Sequence, residues 1–358
     1  MYQEPSGVRI MAYTTIDDPS AYFQTALYTG NDSARDITND GNSDLQPDWI
    51  WLKGRSHAYN HGLFDSSRGT QKELQTNTTS AENTLTAGVS AFNSDGFSFN
   101  GANYNTNAYT FVAWQWKANG GTTSSNTDGS ITSTVQANTT AGFSIVTYTG
   151  TGSNGTIGHG LGVAPSWVLC KDRDGTGVWV NWQNTLAGNQ ALELQSTNAV
   201  ADEPTSWNST VPSSTVFGVG TRGGTNASGN DFVSYCFAEK QGYSKFGSYT
   251  GNGNADGPFV YTGFKPAWVM IKRSSDSGEW AMFDNKRDPH NLTHQVLRAN
   301  NTAVEEDTTN DNEIDILSNG FKARGTGGWT NINGETFIYI AFAEHPFVSS
   351  KGVPTTAR

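Results

Sequence analysis

The chain is predicted to be all-β, as three tandem antiparallel β-sandwich units, jelly-roll or Ig-like, of about a hundred residues each. Three observations predict it: landmarks that recur in step, a composition suited to short strands and turns, and apolar runs too short for helices. Pro47-Asp-Trp49-Ile-Trp-Leu-Lys53 returns as Pro165-Ser-Trp167-Val-Leu-Cys-Lys171 and again as Pro266-Ala-Trp268-Val-Met-Ile-Lys272. The prolines and the lysines are each 118 and then 101 positions apart. Landmarks that move together over two intervals mark a repeat, and repeats set the architecture before any local propensity does.

Composition points the same way. Charged residues make up 15% of the chain, against about 25% in an ordinary globular protein, and Asn, Thr, Ser and Gly take their place. Thr suits strands, and Asn, Ser and Gly suit turns. Aromatics reach 12%, with 11 Trp, a load that fills sandwich cores or forms contact surfaces.

Residues 1–10 fit no unit and read as an N-terminal extension. The first unit, 11–117, carries Tyr28-Thr-Gly30, whose counterparts are Tyr148-Thr-Gly150 and Tyr249-Thr-Gly251. Pro-x-Trp-x-x-x-Lys is a strand bounded by turn residues, and side chains four apart share a face, so Trp and Lys point the same way. Leu63-Phe-Asp65 matches Val180-Asn-Trp182 loosely and Met282-Phe-Asp284 well. Leu74, Leu194 and Leu297 each precede an Asn-rich turn bearing an acid. Ser94-Asp-Gly-Phe97 recurs as Ser318-Asn-Gly-Phe321, a hairpin signal. Each unit closes on an aromatic strand, at Tyr109–Trp116, Phe232–Glu239 and Phe337–Glu344. The last of these is apolar on both faces, as a strand covered on both sides would be. Seven or eight strands per unit are expected.

Residues 118–141 have the Gly/Ser/Thr composition of a flexible linker, with an edge strand over 131–135. The second unit (142–245) and the third (246–347) join almost directly, so they are expected to pack rigidly while the first stands off. The tail, 348–358, lacks a core pattern and reads as mobile.

A net charge of −11 disfavours nucleic-acid and anionic-membrane partners. No stretch reaches the roughly 20 apolar residues of a membrane span, so no membrane insertion is expected. The opening residues lack a basic-then-apolar signal. Cys170 and Cys236 have no cysteine counterparts in other units and read as buried free thiols.

Gly150-Thr-Gly152-Ser-Asn-Gly155 spells a dinucleotide fingerprint, but the glycines and Pro165 that follow cannot propagate the helix it needs, so a turn is expected. His57/His61 and His290/His294 have zinc-pair spacing but lie in turn-rich sequence, and read as solvated loop histidines. Glu305, Asp307, Asp311 and Glu313 offer the hard oxygen ligands calcium takes, without a recognised loop spacing. A solvated acidic turn is the main reading, so no cofactor is expected, with calcium as the alternative. No nucleophile elbow or base-paired thiol appears, so an enzyme is not expected; carboxylates paired in space for glycan cleavage remain the alternative. Trp179, Trp207, Trp280 and Trp329 lie in polar, turn-rich sequence; core packing is the main reading for each, and any that are exposed are the residues expected to stack on sugars or meet a partner.

The strings Met11-Ala-Tyr-Thr-Thr-Ile-Asp-Asp-Pro-Ser20, Gly142-Phe-Ser-Ile-Val-Thr-Tyr-Thr-Gly150 with Gly158-His-Gly-Leu-Gly-Val-Ala-Pro165, and Tyr243–Gly253 through Gly257–Phe264 resemble a family of virion proteins of tailed bacteriophages, common in marine phages. The resemblance runs from Met11 to about Phe347. It implies a virion structural protein, foremost a tail fibre or adhesin touching the host surface, with capsid or tail decoration and a tail-associated glycan-degrading enzyme as alternatives. It implies other virion proteins as partners, a homo-oligomer such as a trimer, a host glycan or protein as receptor, and assembly in the host cytoplasm with release by lysis.

Overall fold

The computed structural model describes residues 12–309 and 311–354. The expected extension, 1–10, therefore lies outside the described residues, as does 355–358 of the tail.

Among the described residues the regular secondary structure is almost wholly antiparallel β-sheet, and one strand order occurs three times. An opening strand (Phe23–Thr29, Phe143–Thr149, Ser244–Thr250) pairs with a closing strand (Thr110–Trp116, Asp231–Phe237, Thr336–Pro346). The closing strand pairs in turn with the strand bearing the repeated lysine (Trp49–Gly54, Trp167–Asp172, Phe264–Arg273). Three further strands run outward from there as a meander. A smaller sheet covers one face: Arg35–Ile37, Gly96–Phe99 and Val89–Asn93 in the first segment, Gly155–Gly158 and Val216–Val219 in the second, and Phe259–Tyr261, Gly320–Ala323 and Ile314–Leu317 in the third.

Register settles the repeat more finely than spacing does. Trp49, Trp167 and Trp268 face Asp65, Gln183 and Asp284. The counterpart of Leu63-Phe-Asp65 is thus Asn181-Trp-Gln183, one residue later than expected. Likewise Leu63, Asn181 and Met282 face Leu74, Leu192 and Leu297, so Leu192 rather than Leu194 holds that place.

The Tyr-Thr-Gly repeat has a packing cause. Tyr28, Tyr148 and Tyr249 donate their hydroxyls to Tyr104 O, Thr225 O and Thr330 O at 2.7, 2.6 and 2.6 Å. Two residues on, a Cβ at Gly30, Gly150 or Gly251 would lie 2.1–2.2 Å from a carbonyl of the loop that the tyrosine holds. Only glycine allows that approach. The same loops carry buried Asn105, Asn226 and Asn331, whose amides donate to carbonyls on both sides. This asparagine is a third repeated landmark that sequence comparison missed, because only one side chain is kept within a variable loop.

The faces of the large sheets are sorted by alternation. In the first segment Ile50, Leu52, Phe111 and Ala113 pack against the smaller sheet, and Val269, Ile271, Phe337 and Tyr339 do so in the third. The opposite face carries Trp49, Trp51, Trp114, Trp116, Trp268 and Phe342, which join residues of the second segment in one common core. At its centre the equivalent residues Trp116, Phe237 and Phe342 touch pairwise, with ring centroids 5.4–6.3 Å apart. The three segments are therefore arranged around a pseudo-threefold axis and share a core, which three beads on a string would not.

Residues 118–141 correct the linker expectation. Ala118, Gly120 and Gly121 donate backbone N–H groups to the Asp48 carboxylate at 2.7–2.9 Å. Ser124–Asn126 and Ser133–Asn138 then extend the second large sheet past its opening strand. The glycines serve a turn wrapped around a buried carboxylate, not a tether. Of the tail, Ser350 donates its backbone N–H to Asp17 at 2.6 Å, so this part of it is anchored.

Candidate functional site

Charged groups buried at the boundaries between segments are spent on closing the ring. Lys53, Lys171 and Lys272 are fully buried, and each reaches a loop of a neighbouring segment: Thr302 O at 3.2 Å, Thr79 O at 3.2 Å and Thr197 O at 2.9 Å. The first segment thus binds the third, the second binds the first, and the third binds the second. Burial pushes the three ammonium groups down to about 7, 8 and 7.

Two seams add buried ion pairs. Arg68 pairs with Asp65 and Glu82, and Glu82 also takes Arg173 of the next segment at 2.9 Å. Arg287 repeats this with Asp284 and Glu305, and Glu305 takes Arg55 at 2.7 Å. Burial opposes ionisation of both glutamates, but the arginines outweigh it and hold the carboxyls below their ordinary range. The second segment has Gln183 and Leu186 where the others have the Asp–Arg pair, and Gln183 donates instead to Gly247 O and Tyr339 O. The seams are thus alike in backbone and unlike in charge.

The aromatic expectation is corrected. Trp179, Trp207 and Trp280 are buried. Trp179 and Trp280 donate across seams to Gln75 O and Glu193 O, and Trp207 packs against Phe217 inside the second sandwich. Trp329 is half-buried against the third core, with Arg298 5.0 Å from its ring. Polar flanking sequence misled here, because the turns around these residues fold over them.

The acidic residues also diverge. Glu305 is engaged with Arg55 and Arg287, Asp307 with Thr309, and Asp311 accepts from Asn312, while Glu313 lines a separate cleft with Asp288, His290 and His294. Among the described residues no group of three His, Cys, Asp or Glu is placed to hold a metal ion. His61 is not a solvated histidine: it is fully buried, accepts from Trp51 Nε1 at 2.8 Å, and lies 2.9 Å from Arg298 O. Its Nδ1 is thus the acceptor and its Nε2 carries the proton, so the ring is neutral, and burial holds its pKa well below the ordinary value. It occupies the seam position of Trp179 and Trp280. Cys170 and Cys236 are free and buried. The Gly150–Gly155 run leads from one strand into another, with no helix.

Other open places among the described residues include a cleft and a sheet face. A cleft of about 200 Å³ lies where the third segment meets the first, lined by Asp18, Asp40, Lys286, Glu344 and His345. Lys286 bridges it to Asp40 at 2.9 Å. The other is the outer face of the third segment's smaller sheet. Its edge strand alternates, with Val260 buried and Phe259 and Tyr261 46% and 51% exposed. Phe259 faces Lys322 across the sheet, and Lys322 faces Asp315. Lys322 pairs with Asp256, and Arg324 with Asp315 at 3.5 Å. Tyr261 faces Gly320, over which the edge of the Phe259 ring lies. Tyr13 Oη donates to Gly263 O at 2.8 Å and meets Tyr261 Oη at 3.0 Å, fixing the Tyr261 ring.

Residues 18–346 match a family model described as "Domain of unknown function (DUF7483)". The chain belongs to that family. The match passes through all three segments in one piece. No curated protein and no solved structure matches the chain.

Proposed function

We propose that the chain is a non-enzymatic structural protein of a tailed-bacteriophage particle, acting at the tail as a fibre or adhesin that meets the host surface. The single observation that carries this reading is the closure of the ring on Trp116, Phe237 and Phe342. One chain thereby supplies a threefold arrangement of its own, and its buried charged groups lock the segments together. The strings that resemble phage virion proteins include two of the opening strands, Phe143–Thr149 and Ser244–Thr250.

Cryo-electron microscopy of intact particles, with an antibody against the chain, tests the proposal. A few copies at the tail support it. Many copies on the capsid favour decoration instead, and absence from purified particles overturns it.

A further inference from the structure

The smaller sheets can be superposed by register. Ile37 faces Phe97, Ile157 faces Phe217 and Val260 faces Phe321. The residues flanking these positions therefore correspond: Asp36, Thr156 and Phe259 on one side, Thr38, Gly158 and Tyr261 on the other. Two segments carry polar or small residues there, and only the third carries exposed rings. Neither ring belongs to a hydrophobic core. The fold does not require them, since two copies of it are built without them.

Side chains two apart on a strand stand roughly 7 Å from one another on the same face, about the scale of successive sugar rings. The C–H faces of a pyranose pack on aromatic rings, and its hydroxyls need donors and acceptors beside them. Lys322, Asp256, Asp315 and Arg324 provide these, in two opposite-charge pairs that cancel. The edge of the Phe259 ring lies over Gly320, so the rings of Phe259 and Tyr261 form one side of the strand's outer surface. A patch with no net charge on a chain of net charge −11 attracts no polyanion.

Resting on the host-contact reading above, we infer that Phe259 and Tyr261, with Lys322 and Asp256 beside them, form a binding platform for a neutral hexose-based polysaccharide. Affinity electrophoresis through gels containing dextran, laminarin or galactomannan, with alginate as the anionic control, tests it. The full chain should be retarded by at least one neutral polymer and not by alginate. The double variant Phe259→Asp, Tyr261→Thr carries the residues that the first segment already tolerates at these positions. It should keep its melting temperature and lose at least tenfold in affinity. Lys322→Ala, which leaves the rings in place, should weaken binding by a smaller factor and serves if the double variant does not fold.

Equal retardation of wild type and both variants overturns the site while leaving a host-contact role standing. No retardation by any neutral polymer, or retardation by alginate alone, overturns the ligand class. The host-contact role is then judged separately, by the location of the chain on the particle.

Discussion

Trp116 and Phe342 hold the same place in the first and third segments, and meet edge-on with ring centroids 5.5 Å apart. Phe237, their counterpart in the second, touches both. A core shared in this way couples the stability of the three segments. Thermal unfolding should be a single transition with equal calorimetric and van't Hoff enthalpies. Phe237→Ala should lower that whole transition, costing about 3–5 kcal/mol. Two resolved transitions by scanning calorimetry would show that the segments fold independently.

Trp179 tests one seam on its own. Its indole donates to Gln75 O at 2.8 Å across the boundary. Trp179→Phe keeps most of the packing and removes the donor, so urea denaturation should show a loss of about 1 kcal/mol. Trp179→Ala should cost about 3–5 kcal/mol. If both variants lose the same amount, the hydrogen bond contributes more than the packing.

Glu82 joins Arg68 to Arg173, and its folded carboxyl lies below the ordinary range. Its stabilising effect is therefore present at neutral pH and is lost as pH falls through the folded value. Glu82→Gln should destabilise the chain by about 3 kcal/mol at pH 7. The gap from wild type should close as pH falls through the folded value, since the wild-type carboxyl is then protonated as well. A gap that stays constant with pH would mean that the charge of Glu82 does not matter.

The repeated lysines give a pH dependence of the same sign at higher pH, although here it is loss of charge that stabilises the folded chain. Their folded values of about 7, 8 and 7 lie below the roughly 10.4 of an unfolded lysine. Between about pH 6.5 and 8 the unfolded chain binds more protons than the folded one, so stability rises with pH. The melting temperature should climb by about 2–5 °C over that window. Lys272→Met should flatten the rise by about a third, one lysine of three. A flat wild-type profile would place the ammonium groups in a more polar setting than their burial implies.

Cys170 and Cys236 are buried free thiols, and burial raises both, Cys170 to about 11. Neither should react with a thiol reagent at pH 8 in the native protein, and both should react in denaturant. Rapid native labelling would show that the second sandwich opens locally.

Much of the fold is legible in the sequence because it rests on local chemistry. The paired landmarks at Pro47/Lys53, Pro165/Lys171 and Pro266/Lys272 mark strands whose alternation sets Trp and Lys on one face, and Tyr-Thr-Gly marks a latch that needs a hydroxyl and a missing Cβ. The candidate site was much less legible. Trp179 and Trp280 sit in polar sequence like that of a surface residue, yet they close seams against a segment about a hundred positions away. Phe259 and Tyr261 sit on a strand that looks no different from its neighbours, and only register shows that their counterparts are polar.

The sequence by itself determined that the chain is all-β, that one strand pattern recurs along it, and which residues alternate within each strand. These follow from side-chain period and turn chemistry, which act over a few residues. Only the tertiary structure decided that the segments close on one another around Trp116, Phe237 and Phe342, and which aromatics remain in solvent. Burial depends on which distant surfaces meet, and no window of sequence contains that information.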